Sequence, residues 1–226
     1  MSRGLGDVYK RQGSVTPKGF VTTGLATDPT TGKDFATENT VKSAVTQDTT
    51  KAKKLWKQGL KETGKKSVTL TLTHDDTDQM KALAEYVQGQ LEKELPGLKV
   101  QSVTVPYKTR ISREIAGNFQ LVISAWQADF ADPVSDLGIM TSTNDYNFGK
   151  WTNKTFDSAI NTANSTTSTT KRWQALATAE KTMATDQGVA PLSQNVIAQM
   201  VNPKLKGLVY NTAGINYNFK SAYMAK

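Results

Sequence analysis

The chain contains no cysteine and a single histidine among its 226 residues. The first absence excludes disulfides, thiolate metal sites and Cys nucleophiles, although it leaves the compartment open. The second leaves His74 with no other imidazole for a metal centre and with no Ser or Asp placed to form a triad. No apolar run approaches ~18 residues, so no segment reads as a membrane span. No charged n-region followed by an apolar core marks a signal peptide. P-loop, GxGxxG and GxSxG motifs are missing, no acidic pair stands out as a glycosidase couple, and HDDTD lacks the spacing of a calcium loop. These absences shift the balance from catalysis toward binding. No catalytic residue, metal ligand or cofactor is assigned.

Apolar residues make up 37% of the sequence and the formal net charge is +8, so a core must come from periodic segments. The Lys residues are spread along the chain and form no dense run with interleaved aromatics, as a nucleic-acid surface would. A solvated basic surface accounts for them, with a polyanion or cell-envelope partner as the electrostatic alternative. Residues 1–12, MSRGLGDVYKRQ, match nothing downstream in style. The string DVYKRQ looks like the in-frame translation of a sequencing adapter, and the segment is set aside as non-biological, with the true gene continuing upstream.

Residues 13–47, rich in Thr, Gly, Asp and Pro, read as an exposed lead-in. Asp48 then caps a predicted helix over 49–63 with Ala52, Leu55, Trp56 and Leu60 on one face, Trp56 as a core residue of it. Alternation predicts a strand over 67–73, with His74 as a loop or capping residue after it. A long helix to about 95, a strand over 98–105, a short helix over 109–116 and a buried strand over 119–125 follow. This strand–helix alternation is the signature of α/β architecture. Helices are predicted over 153–164 and 171–186, the second with Trp173, Leu176, Ala179 and Met183 toward the core. β-type runs are predicted over 189–201 and 205–210. There is no internal repeat.

The stretch 119–133, FQLVISAWQADFADP, stands out. An apolar run breaks abruptly into Trp126, Asp129, Phe130, Asp132 and Pro133, carrying polar groups to the end of a strand. A Trp three residues before an Asp offers one flat apolar wall and one anion, which suits a ligand with an ammonium group and an adjacent side chain. On the residues alone, a core role for Trp126 and a turn role for Asp129 stay open. The polar segment after Pro133, rich in Asn, Gly and aromatics, is the kind of loop that carries binding contacts.

From about residue 52 onward the sequence resembles the C-terminal half of the oligopeptide-binding family, the solute-binding proteins of peptide ABC transporters. The resemblance rests on KAKKLWKQGL, AGNFQLVISAWQADFADP, WTNKTFDSAI, KRWQALATAEKTMATDQGVAPLSQ and NPKLKGLVYN, in that order. Gln120 and Phe130 depart from the family's usual Asp and Tyr. The character of the chain is most like members from Gram-positive lactic-acid bacteria. The resemblance implies an α/β, periplasmic-binding-protein-like (class II) fold of two lobes, with 48–188 in the second lobe and 189–226 returning through the hinge to the first. It implies that oligopeptides are bound outside the cytoplasm and delivered to the permease subunits of an ABC importer. The protein would be a monomeric cell-surface lipoprotein, periplasmic in a Gram-negative cell, anchored through a missing N-terminus. Asp129 would pair with the peptide's α-ammonium and Trp126 would wall the first side-chain pocket. Phe130, Asn144, Tyr146, Asn147 and Phe148 are further ligand-binding candidates. The alternatives are a cell-surface adhesion protein using a basic face, or a same-fold binder of a nickel chelate, haem or sugar.

Overall fold

A computed structural model of the chain describes residues 14–197 and 199–226. The segment 1–12, expected to be non-biological, lies outside them. The chain forms two compact units, one from the residues up to Val45 together with Trp126–Lys226, the other Thr46–Ala125. Two one-turn helices, α1 (Phe35–Glu38) and α2 (Lys42–Val45), open the first unit.

The second unit begins with α3 (Thr49–Glu62), capped by Asp48, whose carboxylate accepts the Lys51 N–H at 2.9 Å. It continues through β1 (Val68–Asp75), α4 (Asp78–Glu94), β2 (Leu98–Val105), α5 (Tyr107–Ile115) and β3 (Leu121–Val122). The sheet order is β2-β1-β3, all parallel, and β1 pairs with β2 over its whole length, from Val68 opposite Leu98 to Asp75 opposite Val105. Parallel neighbours require crossovers, and α4 and α5 supply them. Thr77 caps α4 by accepting the Met80 N–H.

Three expectations for this unit are corrected. No residue of α3 is buried and Leu55 is 56% exposed; Trp56 is half-buried and donates its Nε1–H to the Pro96 carbonyl at 2.8 Å. The strand expected over 119–125 shrinks to Leu121 and Val122, both half-buried, with buried Ile123 adding one bond to the Thr73 carbonyl. Its late start has a local cause: Gln120 Oε1 accepts the Thr71 N–H at 2.7 Å, taking a donor that a β3 backbone extended toward residue 119 would engage. His74 is not a cap. It lies in the β1 ladder opposite Thr104, 1% exposed, with Nδ1 2.8 Å from the Asp75 carbonyl and Nε2 2.7 Å from Ser102 Oγ. A carbonyl only accepts, so Nδ1 donates to it.

Beyond the strand ends Arg110 is buried with two carboxylates. Its Nε donates to Asp75 at 2.7 Å, and one terminal nitrogen donates to Glu114 at 2.6 Å and to Ser124 Oγ at 2.9 Å. Desolvation alone would lower the Arg110 pKa, but Asp75 and Glu114 outweigh it and the net shift is upward.

The first unit resumes after Ala125 with α6 (Pro133–Leu137), a 3-10 turn (Gly138–Met140), α7 (Lys154–Ser165) and α8 (Thr169–Asp186). Asn153 caps α7 and Ser168 caps α8. The α8 C-cap is Gln187 in the left-handed region, and Gly188 follows because a Cβ there would come within 2.7 Å of the Trp151 ring. The core gathers Leu137, Phe156, Ile160, Leu176 and Met183 with Val21, Leu25 and Phe35. The lead-in expected to be exposed is thus part of the core, and Phe35 packs edge-on against Trp173 at 5.2 Å. Its few apolar residues lack any period because turns separate them, and side chains from elsewhere fix its backbone. Glu180 accepts the Phe20 and Val21 N–H groups at 2.7 and 3.3 Å, and Asp136 accepts the Thr22 N–H at 2.9 Å.

The run expected as strand over 189–201 forms only an isolated bridge, Gln194 opposite Val15, among the described residues. The run over 205–210 is divided at Gly207 (φ 70°) into β4 (Leu205–Lys206) and β5 (Val209–Tyr210). They pair antiparallel with β7 (Tyr223–Met224) and β6 (Tyr217–Asn218) respectively. Among the described residues no helix is long and apolar enough to cross a membrane. Removing one partner from a buried ion network leaves the others uncompensated. Arg110→Met is therefore expected to destabilise the protein by ~3–5 kcal/mol in denaturant unfolding, and a loss below ~1 kcal/mol would contradict the buried-network account.

Candidate ligand-binding site

The segment joining β3 to α6 is short of regular structure and is held at a few points by specific hydrogen bonds. Asp132 caps α6 by accepting the Val134 N–H at 2.9 Å, and Pro133 takes the first helical position. That position suits proline, since its missing N–H would have no partner there. The Asp132 carboxylate also receives both terminal nitrogens of Arg172, at 2.8 and 3.0 Å, a bidentate geometry that fixes direction as well as distance. The Asp132 N–H turns back to the Phe130 carbonyl at 2.8 Å.

Trp126 is half-buried and donates its Nε1–H to the Ser135 carbonyl at 3.1 Å. Its ring meets Tyr146 edge-to-face at 5.3 Å, and Tyr146 meets Phe148 at 5.9 Å in the same manner. The three rings form a row, each contact contributing ~0.5–1.5 kcal/mol beyond area burial. Tyr146, in the middle, is 53% exposed, so the row presents an apolar edge to solvent.

Asp129 is exposed, and no hydrogen bond or ion pair engages its carboxylate among the described residues. Its backbone, in contrast, is held on two sides. The Asp129 N–H donates to Ser135 Oγ at 2.8 Å. Gly214, at φ 66°, donates its N–H to the Ala128 carbonyl at 2.8 Å and lies so close that a Cβ would come within 2.8 Å of the Asp129 carbonyl oxygen. Gln127 completes this attachment by donating to the Gly214 carbonyl and to Asn216 Oδ1, both at 2.9 Å.

The remaining expected site residues separate into two groups. Phe130 is 54% exposed beside Asp129 in sequence. Asn144 and Asn147 are turned into their own loop: Asn144 donates to the Gly138 carbonyl and accepts the Tyr146 N–H, while Asn147, with no exposed surface, donates to the Thr141 and Trp151 carbonyls. They shape the turn that presents Tyr146 and Phe148. The structure therefore brings Trp126, Tyr146 and Phe148 together as side chains and uses the two asparagines as loop staples.

Sequence reasoning missed Ser135, Gln127 and Gly214 altogether, and gave Arg172 and Glu180 no role beyond a motif letter. For Ser135 the available signal was a Ser at the third helical position behind Asp-Pro. Nothing local marks Gly214, whose partner is far away in the chain. Among the described residues no group of three or more His, Cys, Asp or Glu side chains is placed to hold a metal. An open concavity of about 600 Å³ lies elsewhere in the same unit, between α7 and α8, lined by Lys154, Ser158, Thr162, Lys171 and Thr178; it has no aromatic wall. An unneutralised carboxylate on a fixed backbone near a row of rings can bind a cation attached to an apolar group.

Burial raises the pKa of Asp136, next to Ser135, and raises that of Glu180, where repulsion from Asp136 adds to it; the backbone N–H bonds oppose the rise without cancelling it. A carboxyl that holds its proton more tightly when folded adds stability as pH falls through its raised value and loses that contribution as pH rises through it. Asp136→Asn keeps an acceptor for Thr22 and removes the charge. Wild type is thus expected to gain more thermal stability than the variant as pH falls from neutral toward the ordinary carboxylate range; parallel melting curves would contradict this.

Residues 7–148 match the family described as bacterial extracellular solute-binding proteins, family 5, middle region. The chain is 34% identical over 216 residues to the dipeptide-binding protein of Lactococcus lactis subsp. cremoris (strain MG1363), covering 94% of this chain and 39% of that protein. Its structure is similar to the crystal structure of the peptide-binding protein of a peptide ABC transporter, with 40% identity, a TM-score of 0.78 and 82% of each chain covered. It is also similar to Listeria monocytogenes OppA bound to peptide, with 29% identity, a TM-score of 0.81, and 98% of this chain and 42% of that one covered. The chain spans about two-fifths of the length of the Lactococcus relative.

Proposed function

Because this chain belongs to the family 5 bacterial extracellular solute-binding proteins, we propose that it contributes part of a peptide-binding site, with Asp129 as the partner of the peptide's α-ammonium. One observation carries this reading: the Asp129 carboxylate is exposed and unpaired among the described residues while its backbone is anchored by Ser135 and Gly214. The carboxylates of Asp132, Asp136 and Glu180, by contrast, are each engaged by donors of the fold.

The row of Trp126, Tyr146 and Phe148 then walls the space for the first side chain, with Phe130 at its margin. The rest of the peptide is held by main-chain bonds as an added strand, a mode that tolerates varied sequence. The relatives are named as peptide-binding proteins and one is a component of a peptide ABC transporter, which supports delivery of bound peptide to an importer outside the cytoplasm. In the same reading the protein is a monomer attached to the cell surface by a lipid, residues 48–188 belong to one lobe, and 189–226 return to the other. The exposed apolar residues Val196, Ile197, Met200, Tyr210, Ile215 and Phe219 support this return, since a surface of that kind ordinarily packs against further protein.

A hydrogen bond to a charged group contributes ~1.5–3 kcal/mol. In a full-length binding protein containing this chain, Asp129→Ala is expected to weaken binding of a free-amine peptide about 10- to 150-fold and to leave its N-acetylated counterpart within about threefold. Calorimetric titration reads both values. Equal losses for the two peptides would overturn the role given to Asp129.

A further inference from the structure

We propose that Ser135 is the positioning residue of the ammonium site, acting through Asp129 and setting its placement relative to Trp126; this rests on the role given above to Asp129. Ser135 is 5% exposed, and both its oxygen atoms face the two candidate ligand groups: the carbonyl accepts the Trp126 Nε1–H at 3.1 Å and the hydroxyl accepts the Asp129 N–H at 2.8 Å. One residue thereby spans the wall and the anion.

The hydroxyl is free for this task for a local reason. A Glu or Gln at the third helical position often reaches back to the N–H of the N-cap residue. Here the N-cap is Asp132, and its N–H is already bonded to the Phe130 carbonyl. The Ser135 hydroxyl instead reaches past the cap to residue 129.

Ser135 can transmit position because α6 is itself immobilised. Arg172 clamps its N-cap through two bonds, Asp136 holds the Thr22 N–H, and Leu137 has no exposed surface. With its backbone fixed, the Asp129 carboxylate retains only two side-chain torsions. A ligand then finds the anion placed beforehand and loses less freedom on binding. Without the hydroxyl the 129 N–H lacks its acceptor, and the carboxylate keeps its charge but not its location.

The test uses the same full-length protein, a free-amine peptide and its N-acetylated counterpart. Ser135→Ala is expected to weaken the free-amine peptide about tenfold and the acetylated one less than about twofold. Ser135→Thr and Ser135→Val have nearly the same volume and differ in the hydroxyl, so Thr should keep the preference for the free amine and Val should lose it. This pair also controls for packing if the Ala variant folds poorly. In an Asp129→Ala background, Ser135→Ala should cost nothing further. Equal weakening of both peptides, an undiminished preference in the Val variant, or additive losses in the double variant would overturn the positioning role while leaving Asp129 in place. Failure of Asp129→Ala itself to discriminate the two peptides would overturn the ammonium reading, and the role of Ser135 with it.

Discussion

The first unit depends on one short helix, Pro133–Leu137, held at its start by the Asp132–Arg172 pair. A five-residue helix has little stability of its own, because nucleation costs more than so few bonds return. Its cap, its proline and the Arg172 clamp supply what length does not. Once formed, it assigns successive residues to different tasks: Ser135 to the loop before it, Asp136 to the backbone of the lead-in, Leu137 to the core. The site and the fold therefore share a foundation, and a change that loosened this helix would disturb both.

The two units show different ways of burying charge. In the second, Arg110 neutralises Asp75 and Glu114 within hydrogen-bonding distance. In the first, Asp136 and Glu180 are buried against backbone N–H groups, and their raised proton affinities report an incomplete compensation. Asp129 contrasts with both, exposed on a rigid backbone. This contrast leaves the Asp129 carboxylate available for the ligand role proposed for it.

Much of the architecture was legible in the sequence. The helices Thr49–Glu62, Asp78–Glu94, Lys154–Ser165 and Thr169–Asp186 and the strand Leu98–Val105 carry periodic apolar positions and capping residues, which are local signals. The misreadings have a common cause in distant partners. Val21 is buried where Glu180 and Asp136 hold the backbone of 20–22, and Phe35 where it packs against Trp173. Leu121–Val122 starts late because Gln120 substitutes its side chain for backbone pairing, and buried His74 has its ring bonded to Ser102 on the neighbouring strand. At the site, Trp126 and Asp129 were visible as an unusual pair, whereas Ser135 and Gly214 acquire meaning only once the chain is folded around them.

The central claim is that Trp126 and Asp129 form adjacent halves of one recognition surface for a peptide's amino end. The chain has four Trp residues, so fluorine NMR of the fluorotryptophan-labelled full-length protein, with the Trp126 signal assigned through Trp126→Phe, tests it most directly. The account predicts that a free-amine dipeptide shifts the Trp126 resonance, and that the N-acetylated dipeptide at the same concentration shifts it far less. A Trp126 resonance that stays in place while the free-amine dipeptide binds would contradict it.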